Sequence, residues 1–143
     1  MRWITIFILL SLATPRFAWS EELVLKIGTI RINAMVANTP ESRQRGLMHI
    51  RQLCENCGML FVFPWAGRHS FWMKETLLPL SIAFISAEGT ILNLSEMEAN
   101  SGDIHSAQDL ALYALEMNKG WFKKHGVKPK TLVEGLQSAP SGH

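Results

Sequence analysis

The sequence has little net charge, which argues against a polyanion as its partner. It contains 14 Lys and Arg residues against 12 Asp and Glu, and residues 1–20 hold two of the basic residues and none of the acidic ones. The rest of the chain is therefore formally neutral. Proteins that bind phosphate backbones carry a basic stripe or patch. The lysines between positions 119 and 130 are instead typical of a solvent-exposed helix face and loop. We predict no nucleic-acid partner.

Several motifs that would indicate a reaction are also missing. No glycine-rich loop lies between a strand and a helix pattern, which argues against a dinucleotide-binding fold. No Gly-x-Ser-x-Gly sequence supplies a nucleophile elbow. A Cys-x-x-Cys pair without a second one offers too few ligands for a structural zinc site. After the first twenty residues no apolar run approaches the ~20 residues that cross a bilayer as a helix, so we predict no membrane span once the signal is cleaved.

The first twenty residues, in contrast, are typical of a secretory signal peptide. Met1 and Arg2 form a short positive region, residues 3–12 are almost all apolar, and Ala18-Trp19-Ser20 places small residues where a signal peptidase cuts. An uncleaved N-terminal anchor is the alternative, because Arg16 lies close to the cut. The predicted location is periplasmic or secreted.

Residues 21–136 are enough for one domain with a single core, and the small, polar residues 137–143 predict a flexible tail. Strands are predicted at residues 23–27, 30–36, 58–63, 69–73, 80–85, 90–94, 110–117 and 131–134, and short helices at 40–48 and 119–125. Pro64 is expected to end the strand over 58–63, and residues 69–73 to pair with that strand. This pattern predicts a mostly β fold, a compact β-sandwich or barrel-like single domain with one or two short helices.

Several ordered blocks of residues resemble a known family. They are Thr39-Pro40-Glu41, Arg45 to Met48, Gly58 to Pro64, His69 to Lys74, Thr76, Pro79-Leu80, Ile82 to Ile85, and Leu115-Glu116 followed by Gly120. In these blocks the chain resembles the family named domain of unknown function 192, from about residue 30 to 134. The resemblance implies a compact β-sandwich-like domain, often exported or membrane-tethered in bacteria, with no assigned activity. The chain departs from the family at Glu75, where Asn is usual, and at Ser81, where Asp is common.

Cys54 and Cys57 lie outside the family pattern. An even number of cysteines in an oxidising compartment favours a disulfide. A thioredoxin-like catalyst would have its first cysteine at a helix N-terminus, whereas this pair precedes a predicted strand. A copper site is the alternative, because sulfur from Cys54, Cys57, Met59 and Met73 with the imidazole of His69 would suit Cu(I). We predict no cofactor, with copper as that alternative.

A ligand-binding surface is the other candidate site. Its predicted residues are Arg45, Trp72, Lys74, Glu75 and Glu116, which come from different elements. Trp65 and Trp72 offer flat faces for a sugar or peptide, and the Arg and Lys side chains would fix an anionic group. The ordinary alternative makes Trp72 part of the core and rim, and Arg45 with Glu116 a structural ion pair.

We therefore predict an exported β domain that acts as a non-catalytic ligand-binding or accessory module, with no catalytic residues. Its partner would be a small molecule, a glycan or a periplasmic protein. One alternative is a periplasmic copper- or redox-handling protein that uses Cys54 and Cys57. Another is a small hydrolase. Against the hydrolase, His69 and Ser70 are neighbours on a predicted strand and so point to opposite faces, and no motif pairs the carboxylates.

Overall fold

The computed structural model describes residues 22–143, so the predicted signal peptide over residues 1–20 lies outside the described residues. The strands are β1 (Glu22–Ile27), β2 (Ile30–Ala37), β3 (Cys57–Gly67), β4 (Ser70–Phe71), β5 (Leu80–Ile85), β6 (Ile91–Met97), β7 (His105–Ser106) and β8 (Ala111–Asn118). The helices are α1 (Pro40–Arg45) and α2 (Trp121–Lys124), followed by a 3₁₀ turn at Leu136–Ser138. The prediction of a mostly β domain with two short helices is confirmed.

Six strands form one mixed sheet in the order β1-β2-β3-β8-β5-β6. All neighbours are antiparallel except β2 and β3, which run parallel. Apolar side chains cover both faces of this sheet, because alternate residues of a strand point to opposite sides. On β8, Leu115 and Met117 enter one hydrophobic cluster while Ala114 enters the other.

The C-terminal segment 130–134 joins the two edges of the sheet. Lys26 of β1 exchanges two backbone hydrogen bonds with Glu134, of 3.0 and 2.9 Å. Ile91 of β6 donates its N–H to the carbonyl of Thr131 and accepts one from Lys130. Open strand edges are liable to pair with other chains; here one segment partners both edges and gives the sheet its barrel-like closure.

Two predictions about the central strands were wrong. Pro64 does not end β3, which continues to Gly67; the pairing register with β8 shifts between Val62 and Gly67, and such an irregularity tolerates a proline that cannot donate a ladder hydrogen bond. Residues 69–73 do not pair with β3. Only Ser70 and Phe71 are extended there, and they pair with β7 as a separate two-stranded sheet.

The helices are shorter than predicted, and α2 begins after Gly120 rather than at Lys119. The last residues lie near α1, where the N–H of His143 donates to the carbonyl of Asn38 at 2.8 Å and Arg43 donates to the carbonyl of His143 at 2.7 Å. The flexibility of residues 137–143 stays a prediction.

Within residues 22–143, no helix has the length and apolar character needed to cross a bilayer.

Candidate functional site

An open pocket of about 610 Å³ lies between α1, β3, β8 and the segment that follows β4. Its lining includes all five residues predicted to bind a ligand: Arg45, Trp72, Lys74, Glu75 and Glu116. The volume falls within the range of roughly 300–1,000 Å³ that is usual for small-molecule sites. The topology thus brings together residues that are up to 71 positions apart in the sequence.

Helix α1 forms one wall of the pocket. Thr39 and Ser42 make a capping box, in which each side chain accepts the other residue's backbone N–H. The helix ends at Gly46, whose φ of +49° favours glycine and where a Cβ atom would lie 3.3 Å from the Phe61 ring. Leu47, almost fully buried, then fixes the end of the helix in the core. Arg45 is thereby held at the rim while its side chain stays exposed.

The segment after β4 forms the opposite wall. Met73 is buried in the core and its N–H donates to the carbonyl of Ser101, so the residues on either side of it face outward. Trp72 is 53% exposed, and the Lys74 ammonium lies 5.5 Å from the centre of its ring, within the range of a cation–π contact. These contacts place an aromatic face and a cation side by side at the rim.

Glu116 lies at the base of the pocket. It pairs with Met59 of β3 and Ile82 of β5 in the centre of the sheet and is only 5% exposed. Its carboxyl group makes no hydrogen bond or ion pair with any residue in the described part of the chain. Burial raises the pKa of Glu116 to about 8, because desolvation disfavours the charged form. The ion pair considered between Arg45 and Glu116 is therefore not formed.

Aromatic rings that the sequence analysis did not select form the walls beside Glu116. Phe61, Phe63 and Phe71 line the pocket. Phe71 meets the other two edge-on, with ring centres 4.9 and 6.1 Å apart. Arg43 lies over Phe63 at 5.5 Å and donates to the carbonyl of Val62. The sequence could have indicated that Phe61 and Phe63 lie side by side, because residues two apart on a strand share a face.

The comparisons with known proteins agree with this fold. The family model DUF192, described as Uncharacterized ACR, matches residues 23–135. The chain belongs to the DUF192 family. A suggested transcription regulator from Sinorhizobium meliloti 1021 is 33% identical, with a TM-score of 0.77, over 82% of this chain and 95% of its own. A protein of unknown function from Novosphingobium aromaticivorans DSM 12444 is 26% identical, with a TM-score of 0.72, over 79% and 83%. No curated protein matches this chain.

Glu75 and Ser81, the two positions that the resemblance marks as departures, do not share a site. Glu75 lines the pocket rim with a φ of +51°, a region that Asn tolerates better than Glu. Its side chain faces His49 at 3.8 Å, and both are well exposed. Ser81 lies on the other face of β5, where it donates to Glu96 at 2.7 Å and accepts the N–H of Gly120 at 2.8 Å. Ser81 thus supports the start of α2.

Cys54 and Cys57 have their sulfurs 1.96 Å apart, as in a disulfide. The other residues of the copper alternative have different surroundings. Met73 is buried in the core, and His69 stacks on Phe63 at 3.6 Å with its Nε2 at 3.0 Å from the carbonyl of Trp65. Among residues 22–143 no three His, Cys, Asp or Glu side chains are grouped to hold a metal. A role for copper stays a prediction.

The structure also contains a serine–histidine contact that the sequence pattern does not predict. Ser95 Oγ lies 2.7 Å from Nδ1 of His105, while Nε2 of that ring is buried without a partner in the described chain. No carboxylate of the described residues orients this imidazole, as a third group does in hydrolase triads. Ser70 and His69, the pair considered from the sequence, hydrogen-bond to Ser106 and Trp65 instead of to each other.

Proposed function

We propose that this DUF192 domain is an exported, non-catalytic module that binds a small molecule in the pocket between α1 and β8. The observation that carries the proposal is Glu116, a carboxyl group at the base of an open pocket with no partner in the described chain. Its oxygens are not among the fully buried atoms without a partner in the described chain, which are His105 Nε2 and His125 Nε2, so they are open to the pocket. A ligand would supply the partner that Glu116 lacks.

The rest of the pocket supports binding over catalysis. Four aromatic side chains, Phe61, Phe63, Phe71 and Trp72, line it together with polar and charged groups, and small-molecule sites likewise combine aromatic surface with polar groups that orient the ligand. Glu75, the rim carboxylate beside Lys74, faces His49 and not a nucleophile. The role suggested for the Sinorhizobium relative concerns transcription; we do not extend it to this chain, because the residues after position 20 carry equal numbers of acidic and basic side chains.

A thermal-shift screen of a mixed metabolite library against the purified domain tests the binding role. Trp72→Ala removes a face of the pocket, whereas Trp65→Ala removes a tryptophan that is 67% exposed and lies outside the pocket lining. Both variants should fold, because both rings are exposed. We expect ligands whose shift is lost in Trp72→Ala and kept in Trp65→Ala. A library without a single binder, or equal loss in both variants, would refute a binding site here.

Export is tested separately. Expression of the full chain with a C-terminal epitope should give periplasmic protein whose intact mass corresponds to a start near Glu21. Retention of the full-length mass in the membrane fraction would instead identify residues 1–20 as an anchor.

A further inference from the structure

The chemistry around Glu116 restricts what its missing partner can be. Met59 and Ile82 flank it within the sheet, and the rings of Phe61, Phe63 and Phe71 line the pocket that it faces. None of these side chains is a hydrogen-bond donor. Ser70 and Thr76 also line the pocket, but their hydroxyl groups bond to Ser106 and to the carbonyl of Lys74. Donors to the carboxyl group would therefore come from the ligand. A protonated amine supplies three N–H donors and a positive charge that is attracted to aromatic faces.

The charged residues at the rim of the pocket indicate a second chemical group that the ligand should carry. The charged or titratable groups that face the pocket from the surrounding elements are Glu41, Arg43 and Arg45 of α1, His49 after it, and Lys74 and Glu75 after β4. Arg43 is occupied by backbone carbonyls, and Glu75 faces His49. Arg45 and Lys74 form no ion pair with any residue of the described chain. Two unpaired cations repel a simple amine at the entrance and attract an anionic group.

We infer that the pocket binds an amphoteric small molecule, with its ammonium group on Glu116 and its anionic group at Arg45 and Lys74. This assignment rests on the proposed binding function of the same pocket. The ligand enters amine first, so that the cation lies among the aromatic rings at the base while the anion remains near solvent. The ligand class therefore comprises amino acids and other amines that carry a carboxylate or phosphate some carbon atoms away.

Titration calorimetry with designed probes tests the assignment. The probes are straight-chain ω-amino acids of increasing length, with hexylamine and hexanoate as single-charge controls, in a buffer free of amines. We expect one ω-amino acid to bind at least tenfold more tightly than either control. Arg45→Met or Lys74→Met should reduce its affinity toward that of hexylamine, since only the anionic contact is lost.

Glu116→Gln keeps the size of the side chain and removes the negative charge, and it should weaken the ω-amino acid at least tenfold. The matched control is Glu41→Gln, which removes an exposed carboxylate from the rim of the same pocket and should change the affinity less than about twofold.

A measurement that needs no variant is the pH profile. Since the amine requires the ionised carboxyl, the affinity should rise about tenfold per pH unit up to about pH 8.

The outcomes separate this inference from the binding role. Hexanoate that binds as tightly as the ω-amino acids and keeps its affinity in Glu116→Gln would overturn the amine assignment. So would an affinity that does not change with pH. If no probe binds but the metabolite screen yields ligands that depend on Trp72, the assignment fails and the binding function stands. If both experiments find no ligand, both proposals fail.

Discussion

At the scale of single residues, Glu116 makes the stability of the ligand-free domain depend on pH. Its pKa is about 8 in the folded chain and roughly 4.3 in an unfolded one. Between these values the folded state holds a proton that the unfolded state has lost, so the free energy of unfolding falls as pH rises. The contribution is fully present below the unfolded pKa and is lost by about pH 8, at about 1.4 kcal/mol per pH unit.

Urea unfolding of the wild type and of Glu116→Gln across this range measures the effect. Glutamine does not titrate, so the difference in unfolding free energy between the two proteins should shift steadily in favour of the variant up to about pH 8 and then stay constant. Parallel profiles for the two proteins would show that Glu116 titrates normally and is not desolvated.

Glu75 is a second residue whose conformation can be tested. Its φ of +51° lies in the left-handed region, which disfavours most side chains by about 1–2 kcal/mol and disfavours Asn less. We expect Glu75→Asn to raise the free energy of unfolding by roughly 0.5–1 kcal/mol. Glu75→Gln is the control, because it removes the charge and leaves the backbone strain. Equal stabilisation by both substitutions would assign the gain to charge.

At the scale of elements, the disulfide before β3 closes a short loop. Cys54 and Cys57 are three positions apart, and so small a loop restricts the unfolded chain by only about 2 kcal/mol in the chain-entropy description. We expect the double Cys54→Ser, Cys57→Ser variant to fold and to lose about that much unfolding free energy, measured by denaturant titration. Reductant should do the same to the wild type and nothing to the variant. Loss of the fold would show that the bond positions β3.

Individual strands also show which features of the fold can be predicted from sequence patterns. The strand at residues 80–85 was predicted with its true bounds because its residues are apolar throughout and turn signals flank it. The two-residue β4 was predicted too long and with the wrong partner, since a short apolar segment does not specify which strand it pairs with. Pro64 was expected to end β3 because a bulge cannot be read from the proline alone.

For the candidate site, side-chain chemistry and the family blocks predict one surface from five residues, and all five line one pocket. The sequence did not indicate that Glu116 would be buried without a partner, because burial depends on which strands flank it. The same holds for Arg45: whether it pairs with Glu116, the alternative to ligand binding, depends on a distance that only the packing of α1 determines. The sequence therefore predicted which types of side chain lie in the pocket, but not which residues each of them contacts.

At the scale of the whole molecule, the closure of the sheet by residues 130–134 should be a main source of stability. Val133 is buried in the core cluster and donates its N–H to the carbonyl of Gly89 at 2.8 Å, whereas its neighbour Leu132 is 53% exposed. Val133→Ala would leave a cavity where both sheet edges meet and should lower the unfolding free energy by about 1–3 kcal/mol. Leu132→Ala removes a larger apolar group from the surface and should change it by less than about 0.5 kcal/mol.

Hydrogen exchange of both variants would show whether this closure acts on the sheet as a whole. If residues 130–134 hold both edges, amide protection in Val133→Ala should fall in β1 and β6 together, because both edges lose the same partner segment. A loss confined to β6 would mean that β1 is held by β2 alone and that the barrel-like closure adds little. Unchanged protection in β1 and β6 of Leu132→Ala is the reference, since its backbone contacts stay intact.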